Sequence, residues 1–266
     1  MAKPRAKLIS MLTPKRRWAQ FSLATMLFVV TVLCVGLSLV VVPVERQRRA
    51  VAAIEALGGW VKYMETVKGT SETFPRRFLR RWLPPYYFVE VRWVSLSGSP
   101  VTDAGLAHLQ ELTALQTLSL WHTQITDTGL SHLQGLTGLQ ELDLSHTQIT
   151  NTGLAHLREL TELQELNLRG TQITDTGLAY LHAMTGLHAL DLAGTQVTDA
   201  GLPHLQELTG LQELNLRGTQ ITNSGMVHLR GLTGLQGLHL RDTQVTDIGL
   251  EQLRQALPNC QIENTR

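Results

Sequence analysis

Residues 115–140 read LQTLSLWHTQITDTGLSHLQGLTGLQ, and most of the chain is a variation on them. The stretch holds L-x-x-L-x-L-x-x-T-x-I (Leu115, Leu118, Leu120, Thr123, Ile125), followed by T-D-x-G-L-x-H-L-x-x-L. Its glycine recurs at Gly105, Gly129, Gly153, Gly177, Gly201, Gly225 and Gly249, 24 residues apart at every step. A fixed period of this size marks one supersecondary unit that cannot bury its apolar side alone. Stacked copies must bury a continuous core between neighbours, which predicts a solenoid.

The spacing inside the unit fixes its parts. In the L-x-L pairs, such as Leu118 and Leu120 or Leu142 and Leu144, alternate side chains point to one side, as a strand requires. Stacked copies then form a parallel sheet, with strands about 4.8 Å apart. Asp103, Asp127, Asn151, Asp175, Asp199, Asn223 and Asp247 follow a threonine in each copy, and these residue types favour helix N-caps. Leucines at the third, sixth and ninth places after that position (Leu130, Leu133, Leu136) form one helical stripe. The glycine in the first helical turn lowers helix propensity, so close packing is expected to exclude a side chain there. The repeats begin at Val91, with Val94, Leu96, Ser99 and Val101 in register, and further copies start at Leu115, Leu139, Leu163, Leu187, Leu211 and Leu235. Leu250, Leu253 and Leu257 continue the last helix to Pro258, and Ile262, 24 residues after Leu238, predicts a short edge strand.

These motifs resemble the leucine-rich repeat family over about two-thirds of the chain. The x-x-I-T-D-x-G-L portion is similar to the cysteine-containing subclass of F-box substrate receptors. Threonine (Thr123, Thr147, Thr171, Thr195, Thr219, Thr243) stands where that subclass has cysteine, and no F-box-like segment is read before the repeats. The layout, with RRWAQFSL, ERQRRAVAAIEALGG and SLSGSPVTDAGL in order, resembles bacterial membrane-anchored repeat proteins. The resemblance implies a non-catalytic interaction module. The fold class expected is α/β: a right-handed leucine-rich repeat solenoid with a parallel concave sheet and short convex helices, preceded by one transmembrane helix.

Charge divides the chain. Residues 1–90 carry fifteen Lys and Arg against five acids, whereas residues 91–266 carry eight Arg, no Lys and seventeen acids. Such asymmetry points to a membrane- or anion-facing part beside a separate acidic module, and an acidic solenoid repels nucleic-acid phosphates. Residues 1–20 form a basic tail with six Lys or Arg. Residues 21–42 carry no charge and, at about 1.5 Å each, match a hydrocarbon core of roughly 30 Å. An anchor is expected over residues 21–44, with Trp18 at the interface. A cleaved signal peptide would need a shorter apolar run and a small-residue cleavage site, neither of which VVVPVERQRR offers; the Arg16–Arg17 pair is a weak twin-arginine feature. Six positive charges before the span against four in the twenty residues after it lean towards a cytoplasmic N-terminus and exported repeats.

Residues 45–90 are expected to form a juxtamembrane helix and an N-terminal cap. Val51, Ile54 and Leu57 have helical spacing, Gly58–Gly59 stop the helix, and residues 60–63 read as a strand. In residues 74–88, Phe74, Phe78 and Trp82 alternate with Arg76, Arg77, Arg80 and Arg81, which fits either a solenoid cap or contact with anionic lipid. Residues 91–266 are the repeat domain.

The binding face is expected on the concave sheet, at the positions flanking the buried leucines. Trp93, Glu141, Glu165 and Glu213 precede them; Asp143, Asn167, Asp191, Asn215 and His239 lie between them; Trp121, Arg169, Arg217 and Arg241 follow. Trp and Arg are the favoured anchors of interfaces, so these thirteen residues are the candidate site for a protein partner. The plainer alternative is a solvated sheet whose Glu and Arg neighbours pair. No catalytic motif is present: neither a G-x-S-x-G elbow nor a phosphate loop, and no lysine after Lys68. His108, His132, His156, His204 and His228 share one helical position, but one imidazole per repeat does not make a metal site. Cys34 and Cys260 show no metal or disulfide spacing. No cofactor is expected. The function expected is a membrane-anchored protein-binding module; the alternatives are a cytoplasmic-facing adaptor that recruits substrates, or a self-associating envelope protein.

Overall fold

The structure is a computed structural model that describes residues 23–65 and 89–264. The basic tail of residues 1–20 and the 74–88 segment lie outside the described residues. The chain divides into two compact units, Met1–Val42 and Pro43–Arg266. Helix α1 (Leu23–Ala56) has Pro43 inside it. The expected anchor at 21–44 falls partly on side chains outside those described. Among the described residues, no helix is long and apolar enough to cross a membrane.

The second unit is built on one nine-stranded sheet whose strands follow chain order. These are β1 (Trp60–Glu65), β2 (Val89–Ser95), β3 (Thr117–Ser119), β4 (Glu141–Asp143), β5 (Glu165–Asn167), β6 (Ala189–Asp191), β7 (Glu213–Asn215), β8 (Gly237–His239) and β9 (Gln261–Glu263). From β2 onward every pair is parallel and offset by one 24-residue repeat: Leu118 pairs with Leu142, Leu142 with Leu166, and Leu238 with Ile262. The final edge strand therefore lies where the period puts it. The first pair differs from the repeat pattern, because β1 runs antiparallel to β2, with Trp60 opposite Ser95 and Lys62 opposite Trp93.

The expected leucine register holds through the stack. Leu118, Leu120, Ile125, Leu130, Leu133, Leu136 and their counterparts are buried in one continuous core. At its front, Ala50, Val51 and Ile54 of α1 join Val91, Val94 and Leu96 in that core, while Gln47 donates through Nε2 to the Val89 carbonyl at 3.0 Å. The end of α1 and strand β1 thus cover the first repeat, as a terminal repeat needs. Gly58 takes a φ of 81° where the helix stops, a conformation that costs glycine nothing.

In four successive repeats the helix is one α turn followed by a 3-10 turn, as in Asp127–Leu130 and then Ser131–Leu133; later repeats have a single short turn, Leu202–Leu205 or Met226–Leu229, and the last a ten-residue α-helix, Asp247–Ala256. Leucines spaced strictly by three suit this winding, since a 3-10 helix has about three residues per turn. The aspartates do not cap these turns in the expected way. In those four repeats the extended residue before the turn is the threonine, as at Thr126 and Thr150, and the aspartate or asparagine is the first helical residue. Its carboxylate reaches forward to the next repeat: the Thr126 N–H and hydroxyl donate to Asp103 Oδ1 and Oδ2 at 2.8 and 2.6 Å. The arrangement recurs between Asp127 and Thr150, Asp175 and Thr198, and Asp199 and Thr222. Where asparagine stands, the hydroxyl turns round. Asn151 Oδ1 accepts from the Thr174 N–H at 2.9 Å, and its Nδ2 donates to Thr174 Oγ1 at 2.7 Å.

This bond explains the glycine ladder from Gly129 onward; at Gly105 the Val101 side chain takes the same space. A Cβ on Gly129 would stand 2.5 Å from Asp103 Oδ1, so the carboxylate occupies the space a side chain would need. The repeated threonines are also structural: buried Thr123 and Thr147 donate to the carbonyls of Leu120 and Leu144 at 2.7 and 2.6 Å.

Candidate protein-binding face

A groove of about 470 Å³ crosses strands β3 to β8. Its lining includes Glu141, Asp143, Glu165, Asn167, Asp191, Glu213, Asn215 and His239, eight of the thirteen residues expected on the binding face. Trp93, Trp121, Arg169, Arg217 and Arg241 are not in this lining. Trp93 is half-buried, in register with Thr117 of the groove. Trp121 is 48% exposed, and its ring lies near that of His122, with centroids 6.0 Å apart.

Three-residue strands place these side chains. The middle leucine of each points into the core, so both its neighbours face the groove. The second neighbour then ties the turn beyond it: Asp143 Oδ1 accepts from the N–H of Ser145 at 2.9 Å, and Asn167 and Asn215 accept likewise from Arg169 and Arg217 at 3.0 Å. Cross-strand bonds hold the row as well. The Ser119 hydroxyl donates to Asp143 Oδ2 at 3.3 Å, and Asn215 Nδ2 to Asp191 Oδ2 at 3.0 Å. Much of the polar floor is therefore fixed in place before any ligand arrives.

The carboxylates of the floor are not neutralised by the arginines. Arg217 Nε pairs with Asp242 Oδ2 at 3.0 Å, and Arg241 lies 3.9 Å from the same atom, outside the groove. Among the described residues Arg169 makes no ion pair. Glu141 accepts from the Thr117 hydroxyl at 3.2 Å, and Glu213 approaches His239 Nε2 at 3.7 Å. Glu141 and Glu165 sit directly opposite each other on adjacent strands.

Two features escaped the sequence reading. Trp60, in the segment read as a short strand, is 75% exposed and extends the face beyond β2; its pairing across an intervening 23 residues (66–88) leaves no periodic signal. The second is a left-handed turn after each strand, at Gly98, His122, His146, Gly170, Gly194, Gly218 and Asp242, with φ between 54° and 67°. Its 24-residue spacing was visible, but glycine at only four of seven positions hid it.

The histidines of the helical position lie on the opposite flank. His132 and His156 Nδ1 lie 3.1 and 2.9 Å from Nε2 of Gln110 and Gln134 in the preceding repeat, which gives them a side-by-side polar ladder. Among the described residues no group of three potential ligands is placed to hold a metal. Burial, and then the Glu213 carboxylate, push the Cys260 thiol above its ordinary value, which leaves it protonated and a poor nucleophile.

Parallel short strands, a leucine-lined core and a period of 24 residues define a leucine-rich repeat solenoid. The chain belongs to the leucine-rich repeat family: the Leucine rich repeat models match residues 113–173 and 207–229. Among solved structures it is similar to internalin C2 of Listeria monocytogenes, with 30% identity and a TM-score of 0.51 over 66% of this chain and 81% of that one. It is also similar to the internalin inlF of the same organism, with 26% identity and a TM-score of 0.50 over 65% of this chain and 53% of that one. No curated protein matches the sequence.

Proposed function

We propose that the protein is a non-catalytic, membrane-anchored module that binds a protein partner in the groove of its concave face. The observation that carries this reading is the groove itself, a preorganised polar floor across six strands, open on a fold built to present a surface. Shaped and internally bonded side chains lower the ordering cost of association. Trp121 and Arg169 at its margin supply the residue types that dominate interface energies.

The anchor rests on the uncharged run 21–42 of the sequence. Within α1, Met26, Leu27, Phe28, Val30, Val32 and Val35 are each more than half exposed, an arrangement that lipid satisfies and water does not. The charge balance about the run favours repeats on the exported side. A reporter active in only one compartment, fused at Arg266, reads the side directly.

The binding reading is tested by cross-linking and pull-down from native membranes. The full chain is compared with the variant Trp121→Ala, Ala189→Trp, which removes the marginal ring and fills the groove without changing its charge, and which must retain the circular dichroism of the wild type. Loss of the same partners from the variant supports the concave face. Capture of identical partners by both removes the face from the interaction.

A further inference from the structure

We infer that the segment taken into the groove is an extended, basic stretch of polypeptide with an apolar residue at one end. This rests on the reading of the concave face as a binding surface and names what that surface selects.

The face has two chemically distinct ends. At the front, Trp60 is 75% exposed opposite Ser95, Trp93 occupies the adjoining row, and Trp121 is 48% exposed one repeat on. Two exposed tryptophans and the half-buried Trp93, on or just after the first three strands, make this end of the face the apolar one, and surface of this kind marks interaction sites. Beyond that end the lining turns anionic. Glu141, Asp143, Glu165, Asp191 and Glu213 line the groove with no lysine or arginine among the lining residues.

Asp143 and Asp191 are tied into the strands and turns by hydrogen bonds, but the glutamates are placed at a cost to the sheet. Like charges directly opposite on adjacent strands are destabilising, and Glu141 and Glu165 hold that relation. The Glu165 N–H donates to the Gln140 carbonyl at 3.0 Å, but among the described residues its carboxylate makes no hydrogen bond or ion pair. No arginine lines the groove to offset them, and Arg217 and Arg241 pair with Asp242 instead. A cationic side chain from a partner would relieve this repulsion, which makes positive charge the complement of the floor.

Dimensions set the form of the occupant. From β3 to β8 there are five strand-to-strand steps, about 24 Å at ~4.8 Å each. An extended chain covers that with about seven residues. Its alternate side chains, spaced by about 7 Å, turn towards the floor, so basic residues at every second position pass over the carboxylate rows. The apolar residue lies at the tryptophan end, beside which Lys62 faces Trp93 in register and disfavours a further cation.

The test uses the full-length chain in detergent and two fluorescein-labelled peptides, LSRSRSRS and LSESESES, followed by anisotropy. The comparison variant is Glu141→Gln, Glu165→Gln, Glu213→Gln, which removes charge without removing volume. The expected result is saturable binding of the arginine peptide, at least about tenfold tighter than the glutamate peptide. It should weaken as salt screens the pairs and fall about tenfold or more in the variant. Equal affinity for both peptides, no saturable binding, or undiminished binding to the variant overturns the inference. Self-association of the chain that the variant abolishes, competed by a peptide of residues 74–88, assigns the groove to a second copy and likewise overturns it. The two readings separate in the pull-down. Native partners retained by the glutamine variant but lost from the Trp121→Ala, Ala189→Trp variant leave the face intact and refute only its preference for basic segments.

Discussion

Gly170 and His146 show how much of this solenoid is decided residue by residue. Both occupy the left-handed turn after a strand, with φ of 65° and 57°, a region that costs residues bearing a Cβ about 1–2 kcal/mol. A Cβ on Gly170 would also lie 2.7 Å from His146 Nδ1. Gly170→Ala is expected to lower stability in urea by about 1–2 kcal/mol, whereas His146→Gly should stay within about 1 kcal/mol of wild type. Asp127 sets a second test. Burial alone would raise its pKa, but the side chain and N–H of Thr150, the Thr152 hydroxyl and the Gly153 N–H together outweigh it, and the carboxyl lies below its ordinary 3.8. A depressed folded value means stability that is fully present above pH 3.8 and is lost as pH falls through the folded value. Asp127→Asn, which can bond Thr150 as Asn151 bonds Thr174, should flatten that acid limb in thermal melts. An unchanged acid limb would show that the link between these repeats is not ionic.

At the scale of the repeat, one strand and one turn-and-a-bit of helix cannot stand alone, and burial between neighbours supplies their stability. Leu166, 2% exposed in the middle of the stack, is the direct probe. Leu166→Ala should cost about 2–5 kcal/mol, read as a lower melting temperature, and a melt matching wild type would contradict the register. That register was legible from leucine spacing alone, down to the β9 strand at Ile262, because each buried position has one spatial counterpart per repeat. What the spacing does not carry is how polar groups pair. Asp103 looked like a cap because caps and first-turn acids share residue types. Its partner, Thr126, lies 23 residues away, and local rules do not reach that far. The antiparallel β1 was hidden for the same reason: one pairing, made once, has no period to reveal it.

The whole molecule joins an apolar helix, positively charged flanking sequence and an acidic repeat face in a single chain. Eight residues of the concave face named from sequence line one groove, while Arg217 and Arg241 pair with Asp242 outside it and Trp60 joins from outside the repeats. Positions flanking a buried L-x-L pair were readable because strand alternation is strict; the direction of a long arginine side chain is set by neighbours such as Asp242 and is not. The most direct measurement is site-specific photocross-linking in native membranes, with a benzophenone amino acid at Asn167 in the groove or at Val227, 51% exposed on a helical turn of the repeats. A partner adduct from position 167 and none from 227 is the expected result. Adducts from 227 alone would place binding on the helical side and contradict a function carried by the concave sheet.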